Sequence, residues 1–140
     1  MEILEYTFDN LIIGATEEIS IDISQESIER FARLSGDFSP IHVDESFAKE
    51  SGFESQVVHG MLIGAFVSKL IGMKLPGKFG VLQKIDLGFR KPCYAPSKLT
   101  IRGKIETKSA AVKLITLSIT IFQVPDIIIA KGKASVMVRK

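Results

Sequence analysis

The chain has 140 residues, 46% of them hydrophobic and 24% charged, with a formal net charge of +2. That balance predicts one domain over residues 1–140 with a core of its own, since a chain this long buries roughly two-thirds of its unfolded surface. The single cysteine, Cys93, excludes an intrachain disulfide and suits a reducing compartment. The opening "MEILEYTFDN" is acidic and has no basic, apolar leader, so a cytoplasmic protein is expected.

Basic residues stand singly along strand-like stretches such as "KLTIRGKIETK", interleaved with acids and hydroxyls. This is the pattern of a solvated sheet face, and it argues against a nucleic-acid partner. The apolar stretch from Val57 to Leu75 is interrupted by His59, Ser68, Lys69 and Lys74. It lacks the run of about 18 apolar residues that a membrane helix needs, so a buried helix is expected and no membrane partner.

In chain order, "TEEISIDIS" alternates Ile19, Ile21 and Ile23 with polar neighbours, the period of a strand. Ser24 then reads as a helix N-cap, with Glu26 in the first turn where the dipole favours a carboxylate. Ile28, Phe31, Ala32 and Leu34 are expected on the buried face of that helix, and Gly36 at its end. Pro40 bars the helix from running through "DFSPIH". Asp44 is placed to cap a short helix, "ESFAKES", which Gly52 ends.

A helix from Gly60 to Gly72 follows. Gly60, Gly64 and Ser68 recur every fourth residue, so one of its faces is nearly flat and can press its backbone against a neighbour. Thereafter the period changes to two. Ile85, Leu87 and Phe89 share one side of a strand, and "RKPCYAPS" is a connector. Leu99, Ile101 and Ile105 mark the next strand; Leu117, Ile119 and Ile121 mark another. Beyond the turn at "VPD", Ile128, Ala130, Ala134, Val136 and Val138 mark the last. One strand, then helices, then four closely connected strands predict an α+β fold, an antiparallel five-stranded sheet wrapped around one apolar helix. Its uncovered face and unpaired edges predict an oligomer.

Three candidate chemistries stand out. Asp37 and His42 share a loop stiffened by Pro40, and a carboxyl and an imidazole gripping one water form a general acid/base pair. Spacing alone favours the plainer arrangement, a turn-capping aspartate beside a satisfied histidine. Gly60 begins a helix, so its amide lacks an intrahelical partner and can polarise a carbonyl oxygen; a plain helix start fits the same residue. His59, one position earlier, is expected to be a hydrogen-bonded residue that orients the loop. Asp37, His42 and His59 have the makings of a metal centre, yet nothing else in the chain has ligand-rich spacing, and no metal is expected. Cys93 has no histidine near it in sequence, which argues against a nucleophile. There is no Gly-rich phosphate loop.

"FARLSGDFSPIHVDESFA" resembles the hydratase-2 signature of the MaoC-like family of (R)-specific enoyl-CoA hydratases and dehydratases. Phe31, Leu34, Ser35, Gly36, Asp37, Pro40, Ile41, His42 and Ala48 fit it, and "VVHGMLIGAFVSKLIG" is similar to the family's entry into its central helix. Ser39 departs, standing where the pattern has Asn and offering one hydroxyl in place of an amide. The resemblance implies a hot-dog fold and an (R)-specific enoyl-thioester hydratase/dehydratase, a lyase without cofactor. It implies Asp37 and His42 as the catalytic pair and the Gly60 amide as carbonyl anchor. Ser39, His59 and Met61 are then expected near the substrate, and Lys78, Lys84, Arg90 or Lys91 near its phosphates. The implied partners are an acyl-CoA or acyl-carrier-protein thioester and a second copy of the chain, as a homodimer or dimer of dimers. A hot-dog thioesterase and a non-catalytic acyl-thioester-binding domain are the competing readings.

Overall fold

A computed structural model describes residues 1–140. The alternating isoleucines of β1 (Thr16–Ile23) turn inward as expected, Ile19, Ile21 and Ile23 all being buried. Ser24 caps α1 (Gln25–Ser35) by accepting the Ser27 amide, and the Ser27 hydroxyl returns the bond to the Ser24 amide. That reciprocal pair satisfies two donors that a helix start otherwise leaves orphaned. Gly36 ends α1 in the left-handed region, φ 79°, where a side chain would be strained. One turn, α2 (Pro40–Val43), and α3 (Glu45–Glu50) follow, the latter capped by Asp44. The long helix α4 (Gly60–Met73) buries Leu62, Ile63, Val67, Leu70 and Ile71.

The remaining strands are β2 (Gly80–Phe89), β3 (Ser97–Ser109), β4 (Leu114–Gln123) and β5 (Ile127–Val138). All pairings are antiparallel, and the spatial order is β1-β3-β4-β5-β2. β3 and β4 run through the middle, and Leu99, Ile101, Ile105, Ile115, Leu117, Ile119 and Ile121 are essentially inaccessible. They form one cluster with the inner face of α4. The sheet therefore curls around α4, because its apolar face and the apolar helix find cover against each other.

Two expectations change, and one strand is less covered than the rest. Leu34 is 85% exposed, because it lies about 120° around the helix from Ile28 at 100° per residue, off the buried stripe. In β5 it is Ile129 that is buried, not Ile128. The register slips between Ile121 and Phe122, so that Ala130 and Ile128 are successive partners across β4 and Ile129 is left between them, the geometry of a bulge. In β2, Ile85 and Phe89 share a side but are 39% and 49% exposed. β2 pairs only with β5, so it is an edge strand and its apolar side has partial cover.

The β2–β5 edge rests on one close approach. A Cβ at Gly132 would lie 1.7 Å from the Asp86 carbonyl oxygen and 2.9 Å from the Leu87 Cα. Gly132→Ala is therefore expected to push β2 off β5 and cost roughly 1–3 kcal/mol, the usual scale of overpacking. Denaturant unfolding checks this; an unchanged midpoint would show that β2 yields freely.

Candidate active site

The loop after α1 is a chain of short-range hydrogen bonds. The Ser35 hydroxyl donates to the Phe31 carbonyl at 2.7 Å and accepts the Asp37 amide at 3.1 Å. Asp37 Oδ1 accepts the Ser39 amide at 3.1 Å, a local turn of the kind aspartate favours. The Ser39 carbonyl then accepts the His42 amide at 2.9 Å. Pro40 at the start of α2 costs nothing there, since its missing amide is one of the turn's unpaired positions. The result leaves the Asp37 side chain half exposed while His42 is buried.

His42 is held from the far side. Its Nδ1 lies 2.6 Å from the Val57 carbonyl oxygen, and a carbonyl only accepts, so Nδ1 carries the proton and Nε2 is left for chemistry. Nε2 stands 3.9 Å from Asp37 Oδ2. That is too long for a direct hydrogen bond, yet one water can touch both at about 2.8 Å. The His59 ring stacks on His42, centroids 3.9 Å apart and planes 23° apart, and meets the edge of Phe31 at 4.8 Å. His59 Nε2 donates to the main-chain carbonyl of Asp37 at 3.0 Å.

Gly60, the first residue of α4, has an amide with no backbone partner, as has Met61. Gly60 and His42 line one cleft of about 390 Å³, with Val57, Phe89, Arg90 and Lys91 also on its wall. A second, more apolar groove of about 440 Å³ runs between α4 and β2, lined by Met61, Gly64, Ala65, Leu82, Ile85 and Leu87. Gly60 and Phe89 border both. A Cβ at Gly60 would come within 3.1–3.3 Å of the Phe89 ring, so the bare glycine lets the ring lie over the helix start.

The structure thus brings Asp37, His42 and His59 together, with Gly60 on the same cleft as His42. Met61 is exposed at the rim of the apolar groove, and the Ser39 hydroxyl makes no hydrogen bond. Potential ligand atoms of Asp37, His42 and His59 lie within 4.8 Å of one another, but the two rings are stacked, so their lone pairs run in nearly parallel planes rather than converging on an ion. Of the basic candidates, Arg90 and Lys91 reach the cleft wall; Lys78 pairs with Glu5 at 2.8 Å and Lys84 lies exposed on β2. Sequence reasoning missed Val57, whose contribution is a main-chain oxygen and leaves no residue signature. It also missed Phe89 at the junction; its place at the end of an alternating strand just before the connector was the available signal.

Comparison with known proteins bears on the family and the fold. Residues 13–121 match the MaoC-like domain. The chain is 31% identical over 127 residues to the (R)-specific enoyl-CoA hydratase of Aeromonas caviae, covering 91% of this chain and 95% of that protein. It is 31% identical over 140 residues to the (R)-specific enoyl-CoA hydratase of Rhodospirillum rubrum, covering 97% and 93%. Among solved structures, the A. caviae (R)-hydratase superposes with a TM-score of 0.86 at 30% identity, over 91% of this chain and 97% of that one. The R-hydratase of Pseudomonas aeruginosa superposes with a TM-score of 0.91 at 25% identity, over 99% and 88%. Fold and site together define the hot-dog class. Within it, this chain belongs to the MaoC-like domain family.

Cys93 also borders the cleft, but burial pushes its thiol above the ordinary range, opposed only in part by the Ser97 hydroxyl. A thiol so held is a poor nucleophile at neutral pH. Alkylation by iodoacetamide should be slow there and keep accelerating with pH past the point where free cysteine levels off. Fast labelling at neutral pH would contradict the assignment.

Proposed function

We propose that this protein is an (R)-specific enoyl-thioester hydratase/dehydratase, adding water reversibly across the trans-2 double bond of an enoyl-CoA or enoyl-carrier-protein thioester to give the (R)-3-hydroxyacyl thioester. The observation that carries the reading is the 3.9 Å gap between Asp37 Oδ2 and His42 Nε2, with His42 lining the same cleft as the Gly60 helix start. The names of the Aeromonas and Rhodospirillum relatives support it, as does that of the 3-hydroxybutyryl-CoA dehydratase of Methylorubrum extorquens, 29% identical over 133 residues.

The chemistry follows from the donors. The Gly60 amide donates to the thioester carbonyl oxygen, drawing charge from the double bond and making the β-carbon electrophilic. Such a donor is typically worth a factor of about 10²–10³ in rate, or on the order of 3 kcal/mol. A water held between Asp37 and His42 places its oxygen on the β-carbon and gives up one proton to the pair. The electron pair of the double bond moves through an enolate-like arrangement and takes a proton at the α-carbon, so the sum is one water added. Dehydration is the same path reversed. The groove of Met61, Gly64, Leu82 and Ile85 accepts the acyl chain, and Arg90 and Lys91 meet the carrier's phosphates. A reducing cytoplasm suits the one buried free thiol.

With trans-2-enoyl-CoA, conjugation absorbance should fall without release of thiol; thiol release would replace this reading with a thioesterase. Asp37→Asn and His42→Ala are each expected to lose about 10²–10⁴-fold in kcat with the fold retained. Because the two share one water, the double variant should lose little more than either single one. Multiplicative losses would separate their roles.

A homodimer completes the proposal. β2 leaves one row of its backbone groups unpaired at the sheet edge, with Leu82, Ile85 and Phe89 partly exposed beside Met61. A second copy covers that row and that apolar side together. No helix is long and apolar enough to cross a membrane. Sedimentation at micromolar concentration should give a dimer or a dimer of dimers, and a monomer would count against the interface.

A further inference from the structure

His59 is 1% exposed, and the hydration chemistry above gives it no proton to move. Its Nδ1 is the one buried side-chain polar atom without a hydrogen-bond partner. Packing alone does not account for that: a phenylalanine would fill the same space without an orphaned nitrogen, and an unmade buried hydrogen bond is costly. What the imidazole adds over a phenyl ring is the Nε2–H, and that donates to the Asp37 carbonyl at 3.0 Å.

Three parts of the site meet at this residue. Its ring donates to the main chain of Asp37 and stacks at 3.9 Å on His42. Its own carbonyl accepts the amides of Leu62 and Ile63 in the first turn of α4, and its peptide bond leads directly to Gly60. Apart from His59, the main chain at Asp37 is tied only to its sequence neighbours, to α1 through Ser35 and the Gly36 amide and to α2 through Ser39 and His42.

We propose that His59 is a positioning residue: it couples the Asp37 loop to the start of α4, so that the water-holding pair and the carbonyl-holding amide keep one fixed separation. The role rests on the hydratase reading, but the coupling itself is a property of the loop and is measurable without turnover. Two substitutions divide the imidazole's functions. His59→Phe keeps a flat ring against His42 and loses the donor. His59→Gln loses the ring and keeps an Nε2–H donor at similar reach.

Amide hydrogen exchange and steady-state hydration are followed for both, with β3 and β4 amides reporting on the fold. In His59→Phe the Ser39 and His42 amides should lose at least about tenfold in protection while the sheet is unchanged. The kcat should fall about a hundredfold with KM little altered, the scale expected when reacting groups drift by about an ångström. His59→Gln should recover a large part of both. Wild-type loop protection in His59→Phe, or a Gln variant worse than the Phe variant in both readouts, would overturn the proposal in favour of plain packing. If His59→Phe fails to fold, loop protection in His59→Gln decides: retained protection supports the coupling and lost protection overturns it. A wild-type protein without hydratase activity would sink the proposed function, and the exchange data would still decide the coupling.

Discussion

The hydrogen bond between His42 Nδ1 and the Val57 carbonyl, at 2.6 Å, is the constraint on which the rest of the site depends. A carbonyl cannot donate, so this contact puts the proton on Nδ1 and turns Nε2 toward Asp37. Val57 can do this only because its segment is pinned on both sides. Its amide donates to the Ile41 carbonyl, and the next amide, of Val58, donates to the Cys93 carbonyl. The connector after β2 therefore reaches back to orient an imidazole on the loop after α1. The orientation of the His42 ring is a product of main-chain bonding between three segments distant in sequence.

The sheet supplies the rigidity behind that arrangement. β3 and β4 sit at its centre with almost no exposed apolar side chain, and α4 packs its Leu62, Ile63, Val67, Leu70 and Ile71 against the inner face. Close-packed interiors do not deform gradually, so the first turn of α4 is a fixed reference for whatever lies over it. Gly60 occupies that reference point. The cost of a bare glycine at a helix start is small, and it leaves room for the Phe89 ring and for a ligand to approach the backbone.

Stability and function divide along the same line. The buried centre is uniform and apolar, while the edge strand β2, the exposed rim of α4 and the loop after α1 carry the unfinished surfaces. Phe38, Met61 and Phe89 are each about half exposed or more, and all lie beside the cleft or in its loop. Both β1 and β2 are sheet edges, but the β2 edge is the one that leaves apolar side chains half covered beside the cleft, concentrating incompletely buried apolar area there.

Much of this was legible in the sequence because it depends on local rules. Period-2 isoleucines mark β1, β3 and β4; Ser24, Gly36 and Asp44 mark helix ends; Gly60 marks the start of the one helix apolar on nearly every side. Asp37, Pro40 and His42 lie within six residues, so their meeting in one loop needs no long-range information. The bulge that buries Ile129 instead of Ile128 was not legible, since it is decided by where β5 meets β4. The half-exposed state of β2 was hidden too, because alternation tells which residues share a side but not whether anything covers it. Above all, the tautomer of His42 and the tie from His59 to Asp37 run through main-chain oxygens of Val57 and Asp37. Every residue owns such an oxygen, so no letter in the sequence distinguishes the ones that fall within reach of an imidazole. Only the packing of distant segments brings them there.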